Sequence, residues 1–319
     1  MSREPLRPSR PFASRRPSAS HTPLEARSPL EPRRPLEAVA PFDLAYDAVL
    51  AKWPPGTTTA TVPTPYGLTH VIGHGPADAP PVLLLPGGGA TATGWYGTAA
   101  ALGGTHRVHA VDLVGEAGRS VPDPRRPLRT AEDLVGWLDA LLDALGIPET
   151  RTVGLAGHSY GAWIALQYAL AAPRRTGRLV LLDPTNCFTG FAPRFLLRAL
   201  PVLLRPTPAR GTALLDWETR GTALDPDWRR LHGLAAAFPG VRPVNGPRPG
   251  RQRLGTLEPP ALVLLAGRSR AHDPYAVERR ARAAVPGVET AVLPDATHFT
   301  LPVAAPPGTH ARIARHLVG

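Results

Sequence analysis

The chain has 319 residues and a hydrophobic content of 43%, enough for one large mixed domain with an insertion and ordinary for a globular protein. No run approaches the roughly 18 apolar residues of a membrane span, and the single cysteine, Cys187, excludes an intrachain disulfide and the usual cysteine-based zinc sites. The net charge of +11 comes almost wholly from arginine, Lys52 being the only lysine. No basic stripe is interleaved with aromatics, so neither a nucleic-acid partner nor a membrane is expected.

In chain order, residues 1–40 are crowded with Pro, Arg and Ser and read as a disordered tail. Arg15-Arg16 is not followed by an apolar stretch, so it does not read as a twin-arginine export signal, and a cytoplasmic location is expected. Phe42, Leu44, Tyr46, Val49 and Leu50 suggest a short amphipathic helix in the segment 41–53. Thr57–Val62 and Thr69–Ile72, split by Thr64-Pro65-Tyr66-Gly67, suggest an opening hairpin. Val82-Leu83-Leu84-Leu85 is a strand apolar on both faces. Gly87-Gly88-Gly89 and a helix near Gly94–Leu102 follow, then a strand at 108–111 closing on Asp112. Thr130–Leu145 is an amphipathic helix, with Thr130 as N-cap and Asp133 in a variant capping box. The next strand runs into Gly157-His158-Ser159-Tyr160-Gly161 and an apolar helix. Strands follow at 179–182, 262–265 and 290–293, with helices at 276–284 and 309–317.

Strands alternating with helices predict an α/β fold with a mostly parallel, doubly wound sheet, its sites at the carboxyl ends of the strands. Residues 186–259 break the alternation. Their Leu, Phe and Trp content, with Pro and Arg between, reads as a helical cap inserted into a core of residues 41–185 and 260–319.

A serine on a strand-to-helix turn, within G-x-S-x-G, is a nucleophile elbow. With Leu85-Pro86-Gly87-Gly88, Asp112 to Ser120, Gly267 after a strand, and Asp295-Ala296-Thr297-His298-Phe299 near the end, the chain from about residue 57 resembles the α/β-hydrolase superfamily, serine hydrolases with a helical cap. The resemblance implies Ser159 as nucleophile and His298 as its general base. It implies an oxyanion hole from the N–H groups of Tyr160 and Gly88, with Gly89 as neighbour. His158 is expected to be structural, and Asp112 lies outside the triad.

The acid is the open position. Arg270 stands where the family's carboxylate usually follows the penultimate strand. Asp183, which ends the 179–182 strand, and Asp273, in the later loop, are the two candidates, and a chain without a working acid is the third possibility. Both aspartates precede proline, so each also reads as a helix N-cap. Trp95, Trp163, Phe188 and Trp217 are candidate substrate-binding aromatics.

The expected activity is cleavage of an ester, thioester or related acyl bond of a small molecule through an acyl-Ser159 intermediate, with no metal or cofactor. The oligomeric state is left open. The alternatives are a catalytically impaired ligand-binding protein, favoured by Arg270, or a lyase, haloperoxidase or carbon–carbon hydrolase on the same fold.

Overall fold

The structure is a computed structural model that describes residues 36–241 and 243–318. Most of the expected tail therefore lies outside the described residues. From Leu36 the chain is already helical: α1 spans Leu36–Leu50, earlier than the expected start at residue 41.

The strands are β1 (Thr58–Thr64), β2 (Gly67–His74), β3 (Pro81–Leu85), β4 (Arg107–Val111), β5 (Val121–Pro122), β6 (Val153–His158), β7 (Thr176–Leu182), β8 (Ala261–Ala266) and β9 (Glu289–Leu293). Together they form one sheet in the order β1-β2-β4-β3-β6-β7-β8-β9, with β5 paired to β2. The β1–β2 hairpin is antiparallel, and β2 runs antiparallel to β4. From β4 to β9 every pairing is parallel.

Alternation along these strands splits the core in two, since successive side chains point to opposite faces. Leu83, Leu85, Leu155, Leu179, Leu181, Val263 and Leu265 face one side. Against them pack α3 (Ala131–Ala144), α4 (Tyr160–Ala171) and α9 (Pro274–Ala284). Val82, Leu84, Ala156, Val180, Leu182, Leu262 and Leu264 face the other side, with α2 (Tyr96–Leu102) and α10 (Thr309–Val318). Helix α3 carries the expected capping box: Asp133 N–H donates to Thr130 Oγ1, and Asp133 Oδ2 accepts from Thr130 N–H.

Among the described residues between β7 and β8, four helices lie in the region read as a cap: α5 (Pro193–Leu204), α6 (Pro208–Thr219), α7 (Pro226–Ala235) and the single turn α8 (Arg251–Leu254). Helix α1 packs on α7, with the Phe42 and Phe238 rings 4.6 Å apart. Asp112 fastens this corner to the core. Its buried carboxylate accepts hydrogen bonds from Tyr46 Oη, Ala92 N–H and Arg119 N–H, at 2.9, 2.8 and 2.7 Å.

Candidate active site

Register alone brings the site together. Leu85 pairs with Gly157, and His158 with Leu182. The chains leaving β3, β6 and β7 therefore emerge side by side at the carboxyl ends of these central strands, a strand spacing of about 4.8 Å apart. Gly88, Ser159 and Asp183 are their first functional residues. The loops after β8 and β9 adjoin them and are stitched together by Gly267 N–H to Leu293 O and Arg268 N–H to Ala296 O.

The turn at Ser159 is as tight as the motif implies. Ser159 has φ 52° and ψ −111°, a conformation that costs about 1–3 kcal/mol for a non-glycine residue and clusters at functional sites. A Cβ on Gly157 would lie 2.3 Å from Gly161 O, and one on Gly161 would lie 2.3 Å from Leu85 O. Both flanking positions therefore require glycine.

From this turn Ser159 Oγ lies 2.9 Å from His298 Nε2, and His298 Nδ1 lies 2.6 Å from Asp183 Oδ2. The three residues are 7%, 2% and 0% exposed, so water competes little for these bonds. Asp183, too, has positive φ, 40°. Its carboxylate also accepts from Ala266 N–H at 2.9 Å, Ser269 Oγ at 2.8 Å and His272 Nε2 at 3.0 Å. Burial alone would raise this carboxyl. The charge and hydrogen bond of His272, with the bond from His298, outweigh burial and hold it well below the ordinary range.

Asp273 is placed elsewhere. It is exposed, and its Oδ1 accepts from Tyr275 and Ala276 N–H as the N-cap of α9. Of its two expected roles it takes the bland one, because Pro274 at the first helical position leaves the next two amides for it to cap. No hydrogen bond from Asp273 reaches His298. Arg270 leaves the centre too: its guanidinium lies 4.5 Å over the Trp217 ring and donates to Trp217 O.

His298 is held by its backbone from both sides. His158 Nε2–H donates to His298 O at 2.9 Å. Burial, and then the neighbouring His298, push His158 down to about 3, so its ring stays neutral and its tautomer is fixed by that bond. From the opposite side comes Glu218 of α6, wholly buried. Glu218 Oε1 accepts from His298 N–H at 2.9 Å and Arg270 N–H at 3.2 Å, and Oε2 accepts from Phe299 N–H at 3.2 Å. Glu218 was not foreseen. In the sequence it is one acid on a polar helix, and only its lack of exposure marks it.

Tyr160 opens α4, so its N–H has no intrahelical acceptor. Gly89 N–H is taken by Glu116 Oε2 at 2.9 Å, and Gly88 lies beside Tyr160. A Cβ at Gly88 would touch the Tyr160 side chain at 3.6 Å.

The cavity over Ser159 and His298 is lined by Gly88, Trp95, Trp228, His232, Phe299 and Val303, among others. Of the four expected aromatics, only Trp95 lines it. Trp163 and Phe188 are 2% and 4% exposed and belong to the core beneath the sheet. Helix α4 is buried almost all round, so an aromatic on it need not face the site. Trp217 packs with Phe195 and Arg270, off the cavity wall. Trp228 and His232, from α7, and Phe299, beside the histidine, take the places expected for the others.

A mostly parallel sheet with a serine elbow and a buried carboxylate–imidazole–hydroxyl chain defines a hydrolase built on the α/β-hydrolase architecture. The chain belongs to the alpha/beta hydrolase family, whose model matches residues 82–312. It is 29% identical over 294 residues to carboxylesterase YbfK of Bacillus subtilis (strain 168), covering 87% of this chain and 94% of that protein. The crystal structure of that carboxylesterase superposes with a TM-score of 0.81 at 27% identity, over 88% of this chain and 98% of the other. Naproxen esterase (carboxylesterase NP) from Bacillus subtilis gives 0.79 at 26% identity, with the same coverage. No described helix is long and apolar enough to cross a membrane.

Proposed function

We propose that the chain is a serine carboxylesterase that takes a small-molecule ester through an acyl-Ser159 intermediate. The observation that carries this reading is the continuous buried chain Ser159 Oγ–His298–Asp183, with contacts of 2.9 and 2.6 Å. The carboxylesterase relatives support it.

In the reading, His298 Nε2 takes the Ser159 proton as Oγ attacks the ester carbonyl. Asp183 holds the imidazole with its proton on Nδ1 and stabilises the imidazolium that forms. The Gly88 and Tyr160 amides meet the charge developing on the carbonyl oxygen. The imidazolium then gives its proton to the departing alkoxide, and water repeats the sequence to release the acid. Trp95, Trp228, Phe299 and Val303 present an apolar wall to the substrate, which favours an apolar or aromatic group over a charged one.

Labelling with a fluorophosphonate, read by intact mass, tests the reading. One adduct is expected on Ser159, abolished in Ser159→Ala and strongly slowed in His298→Ala. Folded protein that takes no label sinks it. A panel of p-nitrophenyl esters then ranks acyl groups, with apolar chains expected ahead of charged ones.

A further inference from the structure

Asp183 carries two histidines, one on each carboxylate oxygen. His298 Nδ1–H donates to Oδ2, and His272 Nε2–H donates to Oδ1 at 3.0 Å. Acyl transfer requires only the first. His272 sits in the loop after β8 with its side chain 1% exposed, and its ring centroid is 6.3 Å from that of His298. Although buried, its Nδ1 has no hydrogen-bond partner. If orientation of the carboxylate were the whole task, Ala266 N–H and Ser269 Oγ–H already supply a donor to each oxygen. A second imidazole adds what those donors lack, a charge that can come and go.

We propose that His272 is a positioning residue whose protonation sets the charge that Asp183 presents to His298, and so shapes the acidic limb of the activity. The proposal rests on reading Asp183 as the triad acid. With His272 neutral, its proton on Nε2, the full negative charge of the carboxylate is available to the imidazolium that forms at His298 during attack. With His272 protonated, the same carboxylate serves two cations. At the observed 6.3 Å separation and an effective dielectric of about 20, a unit charge disfavours the second imidazolium by on the order of a hundredfold.

The charged and titratable groups around His272 set where it titrates. Asp183 lies at the end of β7, Asp273 next in its own loop, Glu218 on α6 and His298 in the loop after β9. Burial draws His272 toward the neutral form, but the charge and hydrogen bond of Asp183, helped by Asp273 and Glu218, outweigh it and raise the imidazole above its ordinary value. The sign follows. His272 is charged at and below the ordinary histidine range and discharges only as pH rises past it. Activity should therefore climb through two deprotonations on the acidic side, and the one at His272 leaves Asp183 a single cation to serve while the His272 hydrogen bond stays.

The test is kcat and kcat/KM for p-nitrophenyl acetate from about pH 5 to about pH 9, a span that brackets histidine titration. The wild-type protein is compared with His272→Gln, whose amide N–H can still donate to Asp183. The wild type should show two ionisations on the acidic side, carried by kcat and not by KM. His272→Gln should show one, with its alkaline plateau within about tenfold. Identical slopes and midpoints in the two proteins would overturn the proposal. If His272→Gln does not fold, ¹³Cε1 histidine NMR of the wild type decides instead. A His272 resonance that titrates above the ordinary histidine range supports the proposal, and one that stays in a single protonation state throughout overturns it. Fluorophosphonate labelling keeps the two readings apart: Ser159 that labels through His298, in a protein whose pH profile ignores His272, removes this inference and leaves the esterase standing.

Discussion

Two Asp-Pro dipeptides follow neighbouring strands of this sheet, and they have opposite fates. Asp183-Pro184 leaves β7 with Asp183 at φ 40°, wholly buried, gathering four donors around one carboxylate. Asp273-Pro274 lies in the loop after β8, exposed, and caps a helix. The dipeptide itself does not distinguish them. What differs is the strand each one follows and how far beyond it each one sits. Asp183 is the residue directly after β7, beside the elbow, where the sheet register forces it against Ser159 and the loop of His298. Asp273 stands seven positions past the end of β8, where the chain has already turned outward to begin α9. A carboxylate close to the strand end inherits the rigidity of the sheet; one farther out is free to serve local geometry.

The largest effect expected from this contrast is at Asp183. Asp183→Asn keeps the shape but offers an amide to two histidines and should lower kcat by about 10⁴-fold, the size of loss seen when the orienting acid of a serine triad becomes an amide. Steady-state kinetics on a protein with unchanged circular dichroism checks it. Retention of full turnover would remove Asp183 from the triad and reopen the question for the other aspartate.

An intermediate effect is expected at Glu218, the carboxylate that the α6 helix lends to the same loop. Glu218→Ala strips the acceptor from the buried His298 amide and from the part-buried Phe299 and Arg270 amides, a buried group costing about 1–3 kcal/mol when left unpaired. The histidine should then sample more than one position. A fall in kcat of roughly ten- to a hundredfold is expected from the looser geometry, with KM little changed and a lower urea midpoint. Unaltered kcat in a destabilised protein would mean that α6 supports the fold without positioning the base.

The sheet could be read in the sequence because its signals are local. Continuous apolar runs, an elbow flanked by required glycines, and a capping box at Thr130 each state their conformation within a few residues. Ser159, Gly88 and His298 were reached through the resemblance to the α/β-hydrolase superfamily that these signals carry. Which aspartate meets His298 could not be read, since it depends on β7 lying between β6 and β8, a fact of pairing and not of composition. The pocket wall was harder still. Trp163 and Phe188 are aromatics close in sequence to Ser159 or Asp183, yet they turn into the core. Trp228 and His232, far away in the chain, reach the cavity because α7 packs over it. Glu218 and His272 look like surface residues in sequence, and only burial shows what they hold.

The smallest effect sharpens the comparison from the other side. Asp273→Ala removes an N-cap and should cost about 1 kcal/mol of stability, measured as a lower urea midpoint. Its kcat near pH 8 should stay within about twofold of wild type, because no bond from Asp273 reaches the reacting groups. One difference is expected in acid. Asp273 is among the negative groups that favour a charged His272, so its removal should let His272 discharge at slightly lower pH and move the acidic limb in that direction. A hundredfold loss of kcat at pH 8 would contradict the separation of the two aspartates. A loss of stability alone, with a small acidic shift, fits an exposed cap that touches catalysis only through the field it exerts on its neighbour.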